Sequence, residues 1–174
     1  MKKLAVLVMI VGSLVADSDY GFFGSKSGVA PVNDPLYAKE CGSCHFAYQP
    51  GLLPERSWVK LMENLENHFD TDASLDEADK KHIEQYLVKN SAEKSRNYKR
   101  SRKINDSIGT SMTPIAVSQT PYFQKEHRKI QRDMIVQKEV GSLSNCGACH
   151  TTADKGVYGE RYIDIPNYGG WDND

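Results

Sequence analysis

The chain has 174 residues, in which 22 Lys and Arg face 23 Asp and Glu for a formal net charge of −1. So even a balance gives no sign of a nucleic-acid partner, and past the extreme N-terminus no apolar run is long enough to cross a bilayer. Without its N-terminal leader about 158 residues remain, enough for one medium domain or two small ones.

Lys2 and Lys3 precede an apolar stretch from Leu4 to Ala16. That is a secretory signal core, shorter than the roughly 20 residues a membrane span needs. Residues 1–16 are therefore expected to be a signal peptide cut near Ala16, with an uncleaved anchor as the alternative, and the mature protein to be soluble and periplasmic. Residues 17–32, rich in Gly and Ser, read as a flexible leader. Order is expected from Asn33-Asp34-Pro35, where Asp34 caps and Pro35 opens a short helix running into Cys41-Gly-Ser-Cys44-His45. Gln49 to Pro54 then reads as a loop. Pro54 opens a helix with Trp58, Leu61, Met62, Leu65 and Phe69 on one face and His68 on its flank. Asp70 to Ala73 breaks it, and Ser74-Leu-Asp-Glu77 fits a capping box for a helix from Leu75 to about Asn90. Residues 33–92 thus form an N-terminal unit of helix, loop, helix and helix.

In residues 93–103, Lys94, Arg96, Lys99, Arg100, Arg102 and Lys103 face a single acid, Glu93. A docking patch for an acidic partner or a membrane surface is one reading. A solvated basic linker is preferred, and it sets the boundary of a C-terminal unit at 104–174. Asp106 to Thr120 reads as irregular. Thr120-Pro121 starts a helix with Phe123, His127, Ile130 and Met134 on one face, ended by Gly141. The second motif, Cys146-Gly-Ala-Cys149-His150, follows, and the Gly- and Tyr-rich tail 151–174 is expected to close over it as loop, with no clear strand anywhere.

The two Cys-x-x-Cys-His motifs use every cysteine in the chain. This is the attachment signature of a c-type haem, in which both thiols bond the porphyrin and the histidine is the proximal iron ligand. A four-thiolate zinc site brings its second pair close behind the first, whereas here about a hundred residues intervene. A redox dithiol needs one pair and no trailing histidine, and an exported chain could instead form two disulfides. Two covalently bound haem c groups, on Cys41 and Cys44 and on Cys146 and Cys149, explain the pattern best. Each half is marginal as an unaided fold, so the apoprotein is expected to be mostly unfolded.

The sixth iron ligand separates carriers from catalysts. With His45 and His150 proximal, three histidines remain. His68, on the buried flank of its helix, is the distal candidate for haem one. His127, between Phe123 and Ile130, is the candidate for haem two. His82, beside Lys80 and Lys81, reads as a surface residue. Met62 is the alternative for haem one, and Met112, in a polar loop, or Met134 for haem two; Met62 and Met134 sit at core spacing.

The string Cys41 to Pro54, Trp58 followed by His68-Phe69, Ala73-Ser-Leu75, Glu126-His127-Arg128-Lys129-Ile130 and Asn145 to Ala153 together resemble the bacterial dihaem cytochromes c of the DHC type. The resemblance runs from about Asp34 to Tyr168. It implies two low-spin bis-histidine haems, with His68 and His127 at the distal positions. It also implies a small oxygen-binding monohaem cytochrome c as redox partner and a membrane b-type cytochrome as an electron source. Asp70 departs from the glycine that often follows His-Phe in the family.

The fold expected is mainly α: a class I cytochrome c-like N-terminal haem domain, then a loop-rich, partly helical C-terminal haem domain. The function expected is one-electron transfer between periplasmic redox proteins, without enzymatic activity. The alternative is a dihaem peroxidase or a gas-binding reductase or sensor with one open iron.

Overall fold

A computed structural model describes Lys26 and residues 28–171. The signal-peptide reading of residues 1–16 lies outside the described residues.

The first helix, α1 (Pro35–Cys41), starts as its sequence dictates: Asp34 Oδ1 accepts the Tyr37 amide at 2.9 Å, and Pro35 occupies the first turn. Asp34 has a second task, because its other oxygen lies 2.8 Å from His82 Nε2 and ties α1 to the helix that carries His82. His82 is thus exposed, as expected, but paired. Helix α2 (Glu55–Glu63) buries Ser57, Trp58 and Met62. It stops well before Phe69, where the apolar spacing had carried the expected helix. Asn64 leaves helical geometry, Leu65–Asn67 forms one 3-10 turn, and His68 and Thr71 close a tight turn through paired backbone hydrogen bonds of 2.8 and 3.1 Å. Its two central residues, Phe69 (φ 51°) and Asp70 (φ 64°), are left-handed, and Phe69 is 54 % exposed rather than on a buried face. Helix α3 (Glu77–Lys89) is capped by Asp76, not Ser74: Asp76 Oδ1 accepts from the amides of Ala78 and Asp79. It packs on α2 and α1 and buries Ile83 and Leu87.

The expected basic linker is a structural element. Helix α4 (Lys99–Ser107) turns Ser101 and Ile104 inward, with Ile108 one turn on, and packs against the 3-10 turn Pro50–Leu52. Lys99, Arg100, Arg102 and Lys103 occupy its other positions, and with Lys94 and Arg96 before the helix they hid an i, i+3, i+7 inner stripe. Gly51 is required there, since a Cβ would lie against the Ser101 hydroxyl. The end of the expected leader is also held: the Lys26 amide bonds Asn97 O at 2.8 Å, and the Val29 amide bonds Gly156 O at 2.9 Å. Gly28 (φ 68°) and Gly156 (φ 72°) sit back to back, where a Cβ on either would strike carbonyl oxygen.

Helix α5 (Pro121–His127) begins at Thr120 and Pro121 as expected, with Thr120 Oγ1 accepting the Phe123 amide. It ends at His127 rather than at Gly141, and Met134 lies in a separate short helix, α6 (Arg132–Val136). Helix α7 (Cys146–Cys149) is the second motif itself. The tail holds two 3-10 turns and one antiparallel ladder, β1 (Asp164–Ile165) with β2 (Gly169–Gly170), too short for alternation to reveal. Among the described residues one apolar cluster joins both halves, from Tyr37, Trp58 and Leu87 through Ile104 and Phe123 to Tyr158. Among the described residues no helix is long and apolar enough to cross a membrane.

Candidate functional site

Both Cys-x-x-Cys-His motifs end beside one of the histidines singled out from sequence. His45 and His68 stack at a ring-centre distance of 6.1 Å with planes 22° apart. His127 and His150 lie at 6.1 Å with planes 74° apart. An imidazole nitrogen bound to a transition metal sits about 2 Å from it, so two rings on opposite sides of one metal have centres about 6 Å apart. Each pair therefore has the separation that one intervening iron requires. No disulfide joins the four cysteines, and burial pushes the thiols of Cys41 and Cys146 up to about 11. Among the described residues no three His, Cys, Asp or Glu side chains gather to hold a bare ion.

The elements present these rings differently. His45 follows α1 on an exposed turn, and its Nδ1 donates to Phe46 O at 2.8 Å. His68 is carried by the Phe69-Asp70 turn, with its Nδ1 buried and unpartnered and Phe69 edge-on at 4.9 Å. His127 ends α5: its Nδ1 donates to Phe123 O at 2.8 Å, and its ring lies on Phe123 at 3.8 Å and 15°. A proton on Nδ1 leaves the Nε2 lone pair of His45 and of His127 for a metal. His150 Nδ1 is buried and unpartnered, and the ring meets Tyr158 at 5.2 Å.

Burial lowers the pKa of His68, with His45 adding to the effect. Burial also lowers His127, and it takes His150 down to about 4, aided by His127 and Arg100. These three imidazoles are neutral at pH 7, the form that binds a metal. A cavity lined by Phe123, His127, Cys146, Cys149 and His150 opens between α5 and α7. Tyr158, Ile163, Ile165 and Trp171 from the tail line it too, so the tail does close over the second motif. The methionine alternatives lie elsewhere: Met62 is buried in the core, and Met112 is exposed, with its carbonyl held by Arg56 Nε at 2.7 Å.

A family model for dihaem cytochrome c matches residues 37–158. The chain belongs to the dihaem cytochrome c family. It is 42 % identical to the dihaem cytochrome c from Rhodobacter sphaeroides, with 76 % of this chain and 100 % of that one covered and a TM-score of 0.66. A second structure, of DHC purified from Rhodobacter sphaeroides, gives 42 % identity, coverages of 74 % and 99 %, and a TM-score of 0.61. The dihaem cytochrome c from Shewanella baltica gives 36 % identity, coverages of 79 % and 97 %, and a TM-score of 0.65. A comparison with curated proteins finds no match. Membership makes this dihaem cytochrome a haem-based electron carrier holding two haem groups.

Three residues at the sites escaped the sequence reading. Arg100 lines the second cavity from α4 and is clamped by Tyr122 Oη at 2.9 Å and Tyr158 O at 2.8 Å. Its place in a basic run concealed it. Tyr48 and Tyr158, each against a motif histidine, carried no periodic signal.

Proposed function

We infer that this chain is a periplasmic one-electron carrier with two haem c groups, attached through thioethers at Cys41 and Cys44 and at Cys146 and Cys149. His45 and His68 hold the first iron, and His150 and His127 hold the second. The matching 6.1 Å separation of two histidine pairs, each beside its own cysteine motif, is the observation that carries this reading. When bound, each haem takes up and releases one electron.

The chain's contribution would be to hold each iron with two imidazoles. Rings already at iron-spanning distance need little movement when the oxidation state changes, and they leave small molecules no open coordination site. Two histidines set a lower potential than a Met/His pair. The N-terminal segment Met1 to Ala16 supports export. The family resemblance supports a small monohaem cytochrome c as partner and a membrane b-type cytochrome as electron source.

Carbon monoxide tests the reading. The fully reduced holoprotein, with two haems counted per chain by pyridine haemochrome, is expected to show no rapid binding. Stoichiometric binding would transfer the case to the peroxidase, gas-binding or sensor alternative.

A further inference from the structure

Each motif histidine carries a tyrosine ring, and each tyrosine reaches across to the other motif. Tyr48 lies 5.5 Å from the His45 ring, and its hydroxyl donates to Ser144 O at 2.6 Å, two residues before Cys146. Tyr158 lies 5.2 Å from the His150 ring, and its hydroxyl donates to Gln49 Oε1 at 2.6 Å, in the residue that follows Tyr48. Gln49 closes the set by donating its amide to Ala153 O at 2.6 Å, three residues past His150. Gln49 is fully buried and Tyr158 is 9 % exposed, so the Tyr158–Gln49 crossing is dry, whereas the Tyr48–Ser144 bond is exposed. The backbone of Tyr48 is itself pinned, because its carbonyl accepts the Tyr37 hydroxyl at 2.6 Å.

We propose that Tyr48 and Tyr158 are reciprocal bridges that would carry an electron between the groups held at His45 and at His150. The inference rests on the two-haem reading above. One path runs from His45 across the Tyr48 ring, through its hydroxyl to the Ser144 carbonyl, and along Asn145 to the Cys146 thioether. The other runs from His150 across the Tyr158 ring, through its hydroxyl to Gln49, and back along the chain toward His45. Tunnelling decays less steeply through covalent and hydrogen bonds than through a van der Waals gap. The buried bonds from Tyr158 to Gln49 and from Gln49 to Ala153 are also held at constant geometry. The step would balance without a co-reactant, because the electron that one haem would release is the electron that the other would take up. Neither tyrosine is oxidised or loses its proton, and burial, which raises both phenol pKa values, favours the protonated form.

The test is intramolecular electron exchange in partly reduced holoprotein, followed by exchange NMR at a dilution where the rate is independent of concentration. Tyr48→Phe and Tyr158→Phe keep the rings and delete the hydroxyls. Each is expected to slow exchange several-fold, and the double variant more than either, with haem count and paramagnetic resonance signals unchanged. Tyr168→Phe, which removes an exposed hydroxyl bonded to Asp133 Oδ2 at 3.0 Å, serves as the control and should leave the rate unaltered. A double variant that exchanges within a factor of two of wild type overturns the bridge, as does an equal slowing by Tyr168→Phe. The haem count separates the two claims: fewer than two haems per chain overturns the two-haem reading and the bridge together, whereas two haems with unaltered exchange overturns the bridge alone.

Discussion

The His45/His68 and His127/His150 pairs share a ring separation of 6.1 Å and little else. In the second pair the distal candidate is built in: His127 ends a helix, stacks on Phe123 and donates Nδ1 to a helical carbonyl. In the first pair it is perched, since His68 depends on a turn whose two central residues are left-handed and not glycine. Such residues cost about 1–2 kcal/mol each. The same donor atoms can thus be delivered by a preorganised scaffold or by a strained one, and the two should differ in how readily they let go.

The largest difference is expected in folding. Phe123, Tyr158, Ile104 and Val117 belong both to the common apolar cluster and to the wall of the second cavity, whereas Cys44 and His45 are exposed. Replacing Cys146 and Cys149 by Ala, and so losing the second haem, should abolish most of the helical far-ultraviolet dichroism. Replacing Cys41 and Cys44 should remove only part of it. Equal losses would show that the core does not favour the second site.

Next in size is the response to acid. Burial lowers His150 to about 4 and also lowers His127; burial lowers His68 too, with the exposed His45 adding to the effect. A histidine with a depressed folded pKa contributes stability above its unfolded value near 6.5, and that contribution is lost as pH falls toward the folded value. The iron competes with the same proton. On titration downward from pH 7, one haem is expected to turn high-spin first, and His68→Ala should reproduce its spectrum at neutral pH. Simultaneous conversion of both haems would erase the contrast between the two sites.

The ring planes give a sharper, energetically smaller contrast. Near-parallel imidazoles at 22° split the iron orbitals more than rings crossed at 74°. The oxidised protein should therefore show one rhombic low-spin resonance and one strongly axial signal with a large maximum g value. His127→Met should abolish the axial signal alone, and His68→Met the rhombic one.

Much of this was legible in the chain. The haem motifs are local strings, and Thr120-Pro121 carries the start of α5 in its own side-chain chemistry. Helix periodicity put His68 on the flank of a helix continued to Phe69, whereas the chain leaves the helix at Asn64 and the turn that follows sets the ring beside His45. What escaped depends on contacts distant in sequence. Tyr48 meets Ser144, Gln49 meets Tyr158, and Arg100 meets Tyr122 and Tyr158, and none of these partners announces itself by spacing. Helix α4 was missed because charge counting over residues 93–103 outweighed its narrow inner stripe of Ser101, Ile104 and Ile108.

The smallest effect tests the strain directly. Asp70 has φ 64°, is exposed, and occupies the second central position of the turn that holds His68. Glycine adopts that backbone without a Cβ penalty, although it also frees the unfolded chain. Asp70→Gly should therefore stabilise the holoprotein by about 1 kcal/mol in denaturant titration. It should also move the first acid transition to lower pH, because the turn would hold His68 on the iron more firmly. The second transition, governed by His127 and His150, should not move. If both transitions shift together, or if Asp70→Gly destabilises the fold, the left-handed turn is not what makes the first site the looser of the two.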